Sequence, residues 1–212
     1  MNAGLNRGLA VLALLTGCGP RALLPPPAPS KPMATAFGDD AKPLPRYRSK
    51  RLGLSLPLPD GAAWSIDDHS RPELVATHAA TSSKVVVAVI RTDQIVGRAQ
   101  CEDLARARKL VAADGLRTLE DEIGVTQETF DTDIRIALET ETSPERPLVG
   151  HVMAFGGFLR KCYVFDFVTQ VGDASQEPVL SARLAFARAR ILGGLELDSF
   201  GAVVRDAAAP GP

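Results

Sequence analysis

The sequence is short of almost everything that announces chemistry. It carries three histidines and three cysteines in 212 residues, a single tryptophan, and only 5 % aromatic residues in all. It has no Gly-x-Ser-x-Gly, no phosphate loop, no dinucleotide fingerprint and no His-Glu-x-x-His, so the commonest routes to hydrolysis, nucleotide binding and zinc catalysis leave no local signature. It lacks a Cys-x-x-Cys pair, which argues against a thiol redox centre. A bilayer span needs about 20 consecutive apolar residues, and no stretch after the opening segment supplies them, so no transmembrane helix is expected in the mature chain. Charge of one sign is lacking too: the net charge is −1. What remains is an ordinary globular composition on a chain long enough for one domain with its own core.

The amino end is the most informative stretch. Arg7 is the only charge before an apolar run from Leu9 to Leu15, and small residues lead from there to Cys18. A basic start, a short greasy segment and small residues at a cut point make a secretory signal. Leu15-Thr16-Gly17-Cys18 resembles the lipobox of bacterial lipoproteins. The resemblance implies that residues 1–17 are a signal peptide, that the Gly17–Cys18 bond is cut, and that the Cys18 thiol and the new amino terminus carry acyl chains. Two or more chains give stable membrane anchoring where one gives reversible binding. Gly19 follows the cysteine where an aspartate would favour the inner membrane. In a cell with two membranes the resemblance therefore favours the outer one, facing periplasm or surface. No cofactor is expected beyond the covalent lipid.

Residues 18–46 read as a Pro-rich tether expected to be disordered. Pro25-Pro26-Pro27-Ala28-Pro29 is a stiff polyproline-type segment, and Ala34 to Ala41 has little to bury. As a coil such a tether spans about 30 Å, and about 85 Å when stretched. Residues 19–51 hold seven basic side chains against Asp39 and Asp40, whereas residues 52–212 are net acidic. A basic tether under an acidic body suits an anionic membrane surface, and it also suits a plain solvated linker. The acidic body makes nucleic acid a poor partner. The tail, 206–212, is small and flexible by composition.

The folded part is expected over 47–205. Leu52, Leu54, Leu56 and Leu58 alternate as a strand, with Pro57 confining it to an edge or a strand end. Pro59-Asp60-Gly61 turns the chain, and Ala63–Asp67 reads as the returning strand. Leu74–Ala79 and Lys84–Arg91 make a hairpin, the second arm apolar on both faces and so central. Gln100–Ala113 has helical period, with Glu102 and Arg106 spaced as an i, i+4 pair and Gly115 as its stop. Strands follow at about 118–125, 128–142 and 148–155. Gly156-Gly157 reads as a tight turn before a strong strand, Arg160–Val171, that sorts Tyr163, Phe165 and Phe167 from Cys162, Val164 and Val168. A helix from Pro178 to Leu192 closes the body, its buried stripe Leu180, Leu184, Ala187 and Ile191, its stop Gly193-Gly194.

Outside the cytoplasm two remaining cysteines tend to oxidise. Cys101 lies on the inward face of its helix and Cys162 on one face of its strand, so a Cys101–Cys162 disulfide is expected to pin helix to sheet. The order of elements is α+β: a mostly antiparallel sheet flanked by helices. It resembles the PsbP-like superfamily, on Leu52-Gly53-Leu54-Ser55-Leu56-Pro57, on Leu58-Pro59-Asp60-Gly61-Ala62-Ala63-Trp64, and on the Tyr163–Thr169 strand with the Leu180–Leu192 helix. That resemblance implies an α-β-α sandwich and an accessory, partner-binding role without enzyme chemistry. Fold alone does not fix function.

Three sets of residues are candidates for function. Asp67, Asp68, His69 and His78 combine imidazole and carboxylate, which suits a metal or small ligand; solvated turn residues and structural histidines are the alternative. Arg183, Phe186 and Arg190 fall outside the buried stripe of the last helix and could dock a partner, or Phe186 could pack on a neighbouring loop. Asp166, within an apolar strand, needs a partner such as Arg106 or Arg108. The leading expectation is a non-enzymatic accessory or protein-binding lipoprotein of the cell envelope. The alternative is a small-ligand or metal-binding lipoprotein. A hydrolase ranks last, because Ser70 beside His69 is adjacency in sequence and not triad geometry.

Overall fold

The computed structural model describes Phe37 and residues 43–112, 114–127, 130–140 and 147–198. Two expected regions, the signal peptide with Cys18 and the tail 206–212, lie outside the described residues, as does the tether apart from Phe37 and 43–46. The body is the α+β arrangement expected. Seven strands form one antiparallel sheet in the order β3 (Trp64–Asp67), β4 (Leu74–His78), β5 (Ser83–Arg91), β9 (Lys161–Val171), β8 (Leu148–Phe158), β7 (Phe130–Glu139) and β6 (Leu116–Gln127). Hairpins connect β3 to β4, β4 to β5, β6 to β7, β7 to β8 and β8 to β9. Only the step from β5 to β6 leaves the sheet, and it carries the helix α1 (Arg98–Ala107). β5 and β9 sit in the middle, as two-faced apolar patterns require.

Alternation along each central strand sends side chains to two different cores. Val152, Ala154, Phe165 and Phe167 meet the helix α2 (Glu177–Phe186) through Leu180 and Leu184. Met153, Phe155, Cys162 and Val164 meet α1 through Cys101 and Ala105. The sheet is thus the middle of three layers. On the α2 side a small second sheet, β1 (Arg46–Ser49), β2 (Leu54–Pro57) and β10 (Glu196–Leu197), adds Leu54 and Leu56 to the same core.

Three details depart from the sequence reading. The strand at 54–57 pairs with β1 and β10, and 64–67 pairs with β4, so these two strands belong to different sheets and not to one hairpin. β2 is the middle strand of its sheet, and Pro57 is tolerated because it ends the strand. α1 stops at Ala107 instead of running to 113: Lys109 takes φ 56°, and the chain turns so that Val111 can bury against the α1 core. Gly156-Gly157 is not the turn; β8 runs through both to Phe158, and the turn falls at Leu159-Arg160. The glycine is needed for approach rather than for turning. A Cβ on Gly157 would collide with the Val96 carbonyl oxygen of the loop after β5.

The last helix has the expected stripe, Leu180, Leu184, Ala187 and Ile191 being buried. From Ala187 to Leu192 it widens into π geometry before Gly193.

Candidate functional site

A buried aromatic cluster lies where β3, β4 and β9 meet α2. Trp64 opens β3 and His78 closes β4, directly opposite each other in the ladder. Their rings lie 5.2 Å apart. Trp64 donates its indole N–H to the Pro59 carbonyl (2.6 Å), and His78 Nδ1 shares a hydrogen bond with Thr81 Oγ1 (2.8 Å). Phe167 from β9 and Phe186 from α2 complete an aromatic bay. Phe37 fills it. Its ring stacks on Phe186 at 5.2 Å, meets Phe167 edge-on at 6.2 Å, and lies 6.0 Å from His78 and 6.5 Å from Trp64. Only 4 % of Phe37 stays exposed, so a residue from the stretch read as tether is a core residue. Offset and edge-on pairs of this kind add about 0.5–1.5 kcal/mol beyond area burial.

This places the Arg183, Phe186 and Arg190 set. Phe186 packs on Phe37, with the Arg190 guanidinium 6.0 Å above its ring. Arg183 is turned inward. Its Nη1 donates to the carbonyls of Thr81 (2.9 Å) and Gln170 (3.0 Å), fastening α2 to the sheet. Burial pushes its guanidinium pKa down from the usual value.

The Asp67, Asp68, His69 and His78 set is dispersed into separate duties. Asp67 accepts from the backbone N–H of His69 (3.2 Å) and Ser70 (2.9 Å) and from the Ser70 hydroxyl, and these bonds hold its carboxyl down to about 2. Asp68 is buried, paired with Arg51 (2.9 Å) and accepting from the Tyr47 hydroxyl (3.1 Å). That pair ties the β1–β2 turn to the β3–β4 turn. His78 belongs to the aromatic bay. Among the described residues no group of three or more His, Cys, Asp or Glu side chains is placed to hold a metal ion.

The opposite face of the sheet holds the polar chemistry. Cys101 and Cys162 are joined in the expected disulfide, with Cα atoms 5.2 Å apart. Beside it Glu102 receives Arg106 from its own helix (2.7 Å) and Arg135 from β7 (2.5 Å), and Arg135 also reaches Asp121 on β6 (3.1 Å). Burial would raise the Glu102 pKa, but the two guanidiniums donating to it win and hold it below the ordinary value. Asp166 is paired with neither Arg106 nor Arg108. Its partner is His151 on β8, Nδ1 to Oδ1 at 3.2 Å, while the Nε2 of the same ring faces Glu139 at 3.4 Å. Burial alone would lower the imidazole pKa. The hydrogen bonds and charges of Asp166 and Glu139 outweigh it and raise the value above the ordinary imidazole.

Sequence reasoning missed Phe37, the His151–Asp166–Glu139 chain and β10. Phe37 is one aromatic in a run of small residues. His151 and Asp166 are neighbours only through the β8–β9 register, in which His151 faces Val168 and Asp166 faces Met153.

Neither a family model nor a curated protein sequence matches the chain. Solved structures with a similar arrangement include a Bacteroides thetaiotaomicron protein, with a TM-score of 0.45 and 9 % identity. The match covers 74 % of this chain and 49 % of that one, so the chain spans about half its length. Another is the Saccharomyces cerevisiae Ran-binding protein Mog1p, with a TM-score of 0.47, 13 % identity, and coverage of 69 % of this chain and 90 % of that one. Likenesses this distant say nothing about role.

Proposed function

We propose that this protein is a lipid-anchored lipoprotein of the cell envelope. Its PsbP-like body is a non-enzymatic accessory module that binds a segment of another envelope protein. The anchor rests on the Leu15–Cys18 resemblance. The binding role is supported by one observation: the bay of Trp64, His78, Phe167 and Phe186 takes an aromatic side chain, Phe37, across 27 residues of chain from Trp64. A bay that accepts a phenylalanine in cis has the shape and chemistry to accept one from an extended partner segment. Aromatic anchors seated in desolvated pockets carry much of the energy of such interfaces.

The test uses the full chain with Phe37→Ala and a synthetic peptide spanning residues 31–43. The peptide is expected to bind this variant and to bind the unaltered chain at least tenfold more weakly, because there the bay is filled. The same peptide with alanine at the phenylalanine should not bind. Equal affinity for both chains, or no binding to either, would contradict the reading.

A further inference from the structure

We propose that the end of the sheet formed by the β8–β9 turn and the loop from β5 to α1 is a docking tip for an anionic membrane surface. Four large apolar side chains are exposed among the described residues: Ile95, Leu119, Ile123 and Leu159. Leu119 and Ile123 lie on the edge strand β6 among Glu120, Asp121 and Glu122. Ile95 and Leu159 stand in the opposite electrostatic setting. Ile95 is 73 % exposed and Leu159 61 %, and they flank an apolar groove of about 630 Å³ floored by Phe158 and edged by Arg91, Arg160 and Lys161.

Two features of the tip work against the isolated fold. Leu159 holds φ 53° at the turn, a conformation leucine rarely adopts. Arg91 and Lys161 are direct cross-strand neighbours, like charges set side by side where a sheet prefers opposite ones. None of Arg91, Arg160 and Lys161 has an ion-pair partner among the described residues. Lys50, on the β1–β2 turn, borders the same end beside Arg91 and Lys161. Of the described acids near this end, Asp93 is exposed on the loop after β5, Asp133 is paired with Arg98, and Asp198 is paired with Arg48.

The tip is also rigid. Val96 N–H donates to the Leu159 carbonyl (2.9 Å) and Thr92 N–H to the Arg160 carbonyl (3.0 Å), so the two loops are tied to each other. Behind them the Cys101–Cys162 bond fixes the first turn of α1 to the start of β9. A fixed pair of aliphatic side chains ringed by cations is the chemistry of interfacial insertion into an anionic headgroup layer. The charge complementarity selects this occupant over a neutral bilayer. The tip needs no acyl chain to act, so it stands independently of whether Cys18 is lipidated.

The test uses the full chain carrying Cys18→Ala, whose only other cysteines are bonded to each other. Ile95→Cys in this background is labelled with a polarity-sensitive fluorophore and mixed with phosphatidylcholine vesicles, with or without phosphatidylglycerol. The label is expected to shift to the blue only with phosphatidylglycerol, and to shift back as salt is added. In the unlabelled chain, Arg91→Gln, Arg160→Gln and Lys161→Gln together should weaken partitioning roughly a hundredfold, each cation contributing roughly a factor of five. Leu159→Ser should weaken it roughly tenfold while leaving the circular dichroism of the fold unchanged. An unshifted label, an equal shift on neutral vesicles, or partitioning indifferent to the three glutamines would overturn the proposal. In each of those cases the tip would be left as a contact for protein.

Discussion

The two faces of the seven-stranded sheet are held by different physics. The α2 face is a large apolar and aromatic core in which Leu180, Leu184, Phe165 and Phe167 are buried with Leu54 and Leu56 of the small sheet. The α1 face has a smaller core, of which Ala88, Ala105 and Ala137 are members. It adds a disulfide, a four-member ion network around Glu102 and Arg135, and the buried His151–Asp166 pair. One face relies mainly on area removed from water, which is non-directional and insensitive to pH, with Arg183 adding directional bonds to the Thr81 and Gln170 carbonyls. The other relies on directional bonds between specific atoms, each of which a single change in redox state or protonation can remove.

That contrast can be broken from either side. The largest effect is expected on the α2 face. Phe167→Ala empties the centre of its core and should cost about 3–5 kcal/mol in denaturant unfolding. Next comes the disulfide. Replacing Cys101 and Cys162 by alanine frees a loop of 61 residues, worth up to about 4 kcal/mol in the chain-entropy model. The loss should concentrate in hydrogen exchange of α1 and leave α2 protected. Glu102→Gln should cost about 1–2 kcal/mol, reduced from the cost of a fully buried pair because solvent reaches these side chains. It should also flatten the acid limb. The Glu102 pKa is depressed in the fold, so its contribution is present above its ordinary value of 4.5 and is lost as pH falls through the folded value.

The smallest effect has the opposite sign in pH. The His151 pKa is raised in the fold, so its contribution is complete below 6.5 and is lost as pH rises through the folded value. Stability of the unaltered protein should therefore fall over that rise, and His151→Gln should remove the step.

Apolar patterning made much of this architecture readable in advance. The two-faced run Val85–Ile90, the sorted faces of Tyr163–Val168 and the stripe Leu180–Ile191 each specified their own burial. The cysteine pair was legible because both residues lay on inward faces of elements already assigned. What stayed hidden depends on long-range pairing. The partner of Asp166 is set by the β8–β9 register, and 54–57 pairs with β1 and with β10, two residues long and far along the chain, instead of with 64–67. The turn at Leu159 was misassigned to Gly156-Gly157 because glycine signals a turn locally. Here Gly157 serves the approach of another loop instead. Of the candidate sites, the Asp67–His78 set was a reading of residue types without geometry. In the Phe186 set the packing alternative is what the structure has, Phe186 stacking on Phe37, a residue that carried no periodic signal.

The reading of the whole chain depends most on Cys18. Mass spectrometry of the native protein purified from membranes tests it most directly. The native chain is expected to begin at Cys18, with acyl chains on that residue and the Cys101–Cys162 bond intact. A chain that keeps residues 1–17, or one whose Cys18 carries no lipid, would contradict it.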